Sequence, residues 1–284
     1  MSIHPEGVLS RKRVASLGAW LVLSGMLLLP GHGIAQIVTL TNKGSSATVN
    51  LGTSDGMNSW TVSGQNQLEQ QWFWYRTGGG IAQPVNTIGG LTYNQNAGLN
   101  TLDATYQNDQ LLVEIIYTLT GGGINSGNAD MDEQIMVINQ SSSDLNLNFY
   151  QYSHFNLLGA ANDYVQIFGS TGDHNYVRQN NGSTAIQEAI NAPSAFYAEA
   201  APINQTLAEL NSINGLTLNE NLTEGPGNVT WALQWISTLA ADGGELDLTK
   251  DKSLSIEFVP EPSTVAIIAM GAGALGLALR RKLS

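Results

Sequence analysis

The 284-residue chain contains no cysteine, so disulfides, thiolate catalysis and cysteine-based metal sites are excluded. Histidine is nearly absent: four in all, and only His154 and His174 lie beyond residue 35, too few for a multi-histidine zinc site. Basic residues are equally scarce. Between residues 36 and 259, Lys43, Arg76, Arg178, Lys250 and Lys252 face 21 acidic residues, a formal charge of −16. A surface this acidic repels nucleic-acid phosphates and anionic lipid, which excludes nucleic acid as a partner. No Gly-x-Ser-x-Gly elbow, His-Glu-x-x-His zinc motif or phosphate-binding loop occurs. Long apolar runs are missing from the middle of the chain and occur only near its two ends.

What is present begins at those ends. Arg11, Lys12 and Arg13 precede an apolar stretch from Val14 to Leu29, which Pro30 and Gly31 terminate. Gly33 and Ala35 put small residues at the positions a signal peptidase reads, so residues 1–35 are expected to be a signal peptide cleaved between Ala35 and Gln36. At the other end, Val259-Pro260-Glu261-Pro262 is followed by Ser263, Thr264, an apolar run from Val265 to Leu279, and the basic cluster Arg280-Arg281-Lys282. The run has 15 residues and would span ~22 Å as a helix, short of a ~30 Å hydrocarbon core unless the flanking residues extend it. Its glycines and alanines would let another helix approach closely, and the basic cluster marks the cytoplasmic side.

This tripartite tail resembles the PEP-CTERM sorting signal. The resemblance covers residues 259–284 and implies an exported bacterial protein, membrane-staged through the 265–279 helix. It further implies processing by an exosortase and an association with extracellular polysaccharide. It implies nothing about the chemistry of residues 36–258.

That central segment reads as one mostly antiparallel β-sandwich. Short apolar stretches alternate with Asn-, Ser-, Thr- and Gly-rich turns. Strands are expected at 37–40, 47–51, 70–76, 110–120, 132–139, 144–156, 164–168, 228–237 and 254–258. The segments 132–139 and 144–156 are expected as a successive pair joined by Gln140–Ser143. One or two short helices are expected between Ser183 and Leu210, because Ala185, Ile186, Ala189 and Ile190 have helical spacing and so do Leu207 and Leu210.

Three constellations carry functional expectations. In the 144–156 strand, Asn146, Asn148, Tyr150, Tyr152 and His154 fall on one face, opposite Leu145, Leu147 and Phe149. Phenols, amides and an imidazole in a row suit stacking on sugar rings and hydrogen bonding to hydroxyls, making Tyr150, Tyr152 and His154 candidate glycan contacts. The aromatic run Trp72-Phe73-Trp74-Tyr75 occupies both faces of its strand and is expected at the centre of the core. Asp130 and Asp132 are weak calcium candidates in an Asn- and Gly-rich stretch that lacks EF-hand spacing. The functional expectation is a non-enzymatic, structural or polysaccharide-contacting surface protein. The alternative is a polysaccharide-active enzyme, either a lyase using His154 or His174 with a tyrosine, or a glycoside hydrolase using an acidic pair.

Overall fold

The computed structural model describes residues 36–159 and 162–256; the leader and the tripartite tail lie outside the described residues. In chain order the first strands are β1 (Ile37–Asn42), β2 (Ser45–Asn50), β3 (Gly56–Val62), β4 (Gln65–Asn66), β5 (Leu68–Thr77), β6 (Gln83–Pro84), β7 (Thr92–Gln95), β8 (Thr101–Gln107) and β9 (Leu111–Gly121). They are followed by β10 (Asn128–Asn139), β11 (Leu145–Phe155), β12 (Asp163–Phe168), β13 (Tyr176–Asn180), β14 (Thr184–Ala192), β15 (Tyr197–Pro202), β16 (Thr223–Gly227), β17 (Val229–Leu239) and β18 (Glu245–Ile256). One α-helix, α1 (Gln205–Ser212), lies between β15 and β16.

The strands form two nine-stranded sheets packed as a sandwich. The first has the order β1-β2-β3-β5-β11-β17-β15, with β4 on β3 and β6 on β5; the second runs β16-β12-β13-β14-β18-β10-β9-β8-β7. Pairing is antiparallel except for a short parallel contact between β3 and β5. At that contact Gly56 has φ +57°, and a β-carbon there would run into the Trp72 indole. Chain reversal and close packing both select glycine at this position.

Alternation of burial along each strand assigns its two faces. In β9, Leu111, Val113, Ile115, Tyr117 and Leu119 are buried and the intervening residues are not. In β10, Met131, Glu133, Ile135 and Val137 point inward. Across the sandwich, β5, β11 and β17 supply Phe73, Phe149, Phe155, Trp231, Leu233 and Trp235. Phe73 stacks on Phe149 at 5.6 Å and Phe155 on Trp231 at 6.2 Å between ring centroids. Each such buried aromatic or aliphatic side chain contributes on the order of 2 kcal/mol. Trp72, Phe73 and Trp74 are all fully buried, as expected for a central strand with aromatic residues on both faces.

Two local expectations are corrected. The segments around 132–139 and 144–156 are strands, but they do not pair with each other. β10 pairs with β9 and β18, whereas β11 pairs with β5 and β17, so the 140–144 connection crosses between sheets. Residues 185–190 are strand, not helix: Ile186, Glu188 and Ile190 alternate inward. The ladders to β13 and β18 override a spacing that fits either period. The helical expectation holds for Leu207 and Leu210, which lie in α1.

Candidate functional site

The strand face expected to bind sugar is closed. Tyr150 and Tyr152 lie opposite Trp74 and Trp72 on β5 and opposite Gln234 and Ala232 on β17. They are 0% and 1% exposed. The cover is α1 and the chain that follows it to Leu222. The Tyr150 hydroxyl donates to the Leu216 carbonyl at 2.8 Å, and Arg76 Nη2 donates to the same carbonyl and to the Tyr150 hydroxyl at 3.3 Å. Trp74 Nε1 donates to Asn211 Oδ1 at 3.4 Å, and the Leu218 amide donates to Gln234 Oε1 at 3.0 Å. Leu210, Leu216 and Leu218 are the buried leucines of the cover. Burial pushes the Tyr152 hydroxyl up to about 12, against a smaller downward pull from a hydrogen bond with Thr230. Tyr150 and Tyr152 are therefore packing residues with satisfied polar tips, not an open stacking platform.

His154 is half-buried beside this face, with Nε2 2.7 Å from Asn228 Oδ1. His174 is fully buried, with Nε2 3.0 Å from Glu220 Oε2. Glu220 also accepts from the Thr171 hydroxyl and the Ala198 amide, both at 2.9 Å, so His174 ties the 170–175 turn to the cover. The structure does not bring the two histidines to a common site.

Asp130 and Asp132 lie in β10, on the face opposite buried Glu133. Asp132 pairs across the ladder with Asp251. Burial, then Asp132 and Asp130, raise the Asp251 carboxyl above the usual range. Among the described residues, no group of three or more His, Cys, Asp or Glu is arranged to hold a metal ion.

An exposed polar-aromatic face lies instead on the second sheet. β12 presents Tyr164, Gln166 and Phe168, and β13 presents Tyr176, Arg178 and Asn180, paired directly across the ladder. Tyr164 is 51% and Phe168 38% exposed. The Phe168 and Tyr176 rings are 5.4 Å apart, and the Tyr176 hydroxyl donates to Gln187 Oε1 on β14 at 2.6 Å. Tyr164, Gln166, Arg178, Asn180 and Thr223 line a depression of about 340 Å³. Arg178 is exposed, and its side chain makes no hydrogen bond or ion pair with a described residue. Sequence reading missed this face although its signal was there: Tyr-Val-Gln-Ile-Phe and Tyr-Val-Arg-Gln-Asn both alternate, with Val165, Ile167, Val177 and Gln179 inward.

The least expected feature is ionic and internal. Lys250 and Lys252 of β18, Glu133 of β10 and Glu188 of β14 all point between the sheets, and none is exposed beyond 2%. Lys250 Nζ is 2.6 Å from Glu133 Oε2 and 3.4 Å from Glu188 Oε1. Lys252 Nζ is 2.6 Å from Glu133 Oε1 and 3.5 Å from Glu188 Oε2, though no hydrogen bond to Lys252 is properly aligned. From the opposite sheet, the Gln151 Oε1 atom contacts Lys250 Nζ, and Gln151 Nε2 donates to Glu188 Oε2 at 2.8 Å and Ser153 Oγ at 3.1 Å. Lys250 Nζ also lies 4.8 Å from the Phe73 ring centroid and 5.9 Å from that of Trp235. Burial lowers the Lys250 pKa, and Lys252 lowers it further against the pull of the two carboxylates. Burial tends to raise the Glu133 carboxyl, but the two ammonium groups bring it below the usual range. The two shifts oppose each other over where the shared proton sits, and complete desolvation of the amine is the dominant effect.

Among solved structures, a bacterial glucoamylase complexed with acarbose is similar at 7% identity and a TM-score of 0.54, over 85% of this chain and 36% of the glucoamylase chain. A galactose mutarotase related enzyme from Lactobacillus acidophilus is similar at 7% identity and a TM-score of 0.51, over 78% of this chain and 100% of that one. The Slr1438 protein from Synechocystis sp. PCC 6803 is similar at 9% identity and a TM-score of 0.52, over 79% of this chain and 97% of that one. At these identities the likeness is one of fold. No curated protein matches the chain. The family model of the PEP-CTERM protein-sorting motif matches residues 258–282, so the tail carries the sorting motif of exosortase-handled proteins that Val259-Pro260-Glu261-Pro262 and Arg280-Arg281-Lys282 led us to expect.

Proposed function

We propose that this protein is exported, sorted at the cell surface by an exosortase, and acts there as a non-enzymatic matrix component that contacts exopolysaccharide. The observation that carries the export and sorting in this reading is the sorting motif at residues 258–282. The leader up to Ala35 is consistent with it. In this reading the mature chain starts at Gln36 and is held in the membrane by residues 265–279 until processing.

The contact surface in this reading is the outer face of β12 and β13. The exposed rings of Tyr164 and Phe168 and the half-buried ring of Tyr176 can stack on sugar C–H groups, while Gln166, Arg178, Asn180 and Gln187 can bond hydroxyls. Two fold neighbours are a glucoamylase and a galactose mutarotase related enzyme, which gives the fold a precedent among sugar-handling proteins. The enzyme alternative is less well supported: Glu133 and Glu188 are sealed between the sheets, and His154 and His174 are tethered apart.

The test is to incubate the purified protein with exopolysaccharide from the producing cells and to measure retention and fragment release. Retention is expected. Replacing Tyr164 and Tyr176 with Ala should weaken it about 25-fold, at ~1 kcal/mol per ring. Fragment release above a heat-denatured control would replace the binding reading with the enzymatic one.

A further inference from the structure

The buried centre between the sheets holds the parts of an amide-exchange reaction. A lysine amine, a carboxamide and two carboxylates meet in a site with no water access, walled by Phe73 and Trp235. The amine and the carboxamide come from different sheets and are 99 residues apart in sequence. Lys250 Nζ donates to the Gln151 Oε1 atom, which holds the amine beside the carboxamide whose Cδ atom it would attack. Glu133 Oε2 sits 2.6 Å from the amine, and Glu188 Oε2 sits 2.8 Å from the nitrogen that would leave.

We infer that Lys250 and Gln151 form an intramolecular isopeptide bond that joins β18 of one sheet to β11 of the other. The reaction is a transamidation. The Lys250 ammonium passes one proton to Glu133, and the free amine attacks the Gln151 Cδ atom. A second proton moves from Nζ through Glu188 to Nε2. The Cδ–Nε2 bond breaks and ammonia leaves. One N–H remains on the new amide, three hydrogens leave with the ammonia, and one proton is retained on a carboxyl group. The centre is neutral before and after, with Lys252 balancing the remaining carboxylate. No oxidant, metal or activated co-substrate is consumed.

The surroundings favour this chemistry over a static ion pair. Desolvation holds the Lys250 pKa down and so favours the nucleophilic, uncharged amine. Carboxylates at both nitrogens can move protons in the required directions. Exclusion of water protects the acyl centre from hydrolysis. An exported domain without cysteine has no disulfide to join its two sheets, and this bond would do so.

The experiment is peptide mapping by mass spectrometry of the purified, folded full chain after denaturation and proteolysis. The segments containing Gln151 and Lys250 are expected as one branched peptide, lighter than the two separate peptides by one ammonia. The mapped branch is the readout because cyclisation of Gln36 at a new N-terminus would also remove one ammonia from the intact mass. Lys250→Arg keeps the positive charge and should give only separate peptides. Glu188→Gln should slow branch formation in freshly refolded protein at least 10-fold. Recovery of Gln151 and Lys250 only in linear, unmodified peptides from folded wild-type protein overturns the proposal, whether or not the variants fold.

Discussion

Lys252 offers a severe test of how the buried charges are balanced. Its ammonium lies 2.6 Å from Glu133 and 3.5 Å from Glu188, and all three side chains are fully buried. Lys252→Met keeps the length and apolar stem of the side chain but leaves the buried centre one positive charge short. The surplus carboxylate must then be protonated or remain unpaired between the sheets. Breaking a buried ion pair by removing one partner costs about 3–5 kcal/mol, a third or more of the total stability of many domains. For a domain of this size, each kcal/mol moves Tm by about 2–4 °C, so the expected drop is about 6–20 °C at pH 7. Thermal unfolding followed by near-ultraviolet circular dichroism would measure it, since the core tryptophans report tertiary packing. The double variant Lys252→Met with Glu188→Leu removes one charge of each sign and should regain the part of the loss that comes from charge imbalance. A Tm for Lys252→Met within about 2 °C of wild type would refute the view that these charges are balanced as a set.

Tyr152→Ala should destabilise by about 3–5 kcal/mol in urea unfolding, because it empties a buried aromatic site under the cover. Tyr150→Phe should cost about 1 kcal/mol by the same assay, through loss of the hydroxyl bonded to Leu216 and Arg76. Asp251→Asn should raise Tm at pH 7. The native carboxyl has a raised pKa, so the native state holds its proton more tightly than the unfolded chain does, and the wild type gains stability as pH falls through that pKa. The advantage of the variant should therefore shrink on acidification, which a pH series of melting curves would show. Mass spectrometry of the surface-associated form should show loss of both ends of the chain; an intact Arg280-Arg281-Lys282 terminus on protein outside the cell would contradict the processing route.

The contrast between β9 and β18 explains which parts of this fold were legible in the sequence. Gln110–Thr120 announces itself by a dense run of β-branched and apolar residues, and its burial alternates strictly. In β18 the alternation is equally strict, since Leu246, Leu248, Lys250, Lys252, Leu254 and Ile256 all point inward. Two of those six positions are lysine, and lysine is ordinarily read as solvent-facing. Glu133 and Glu188 hide in the same way. Only the ladders that place β10 and β14 on either side of β18 bring the opposite charges together, and no local pattern encodes that. The Tyr150 face was misjudged for a related reason. Alternation correctly put Tyr150 and Tyr152 on one face, but it could not show that a segment more than 50 residues later folds back over them.

The position of Ile256 sets a mechanical condition on the tail. It is the last residue of β18, its amide is bonded to the Gly127 carbonyl, and it pairs with Thr184. Only four peptide links separate it from Pro260, a reach of about 14 Å at full extension. A membrane enzyme acting on Pro260-Glu261-Pro262 would have to work almost in contact with the sandwich, at the rim formed by Gly127 and the turn before Thr184. The folded domain would then be a steric part of the substrate. Lengthening that short link, with the motif itself untouched, becomes a way to ask whether the enzyme measures the distance from motif to fold.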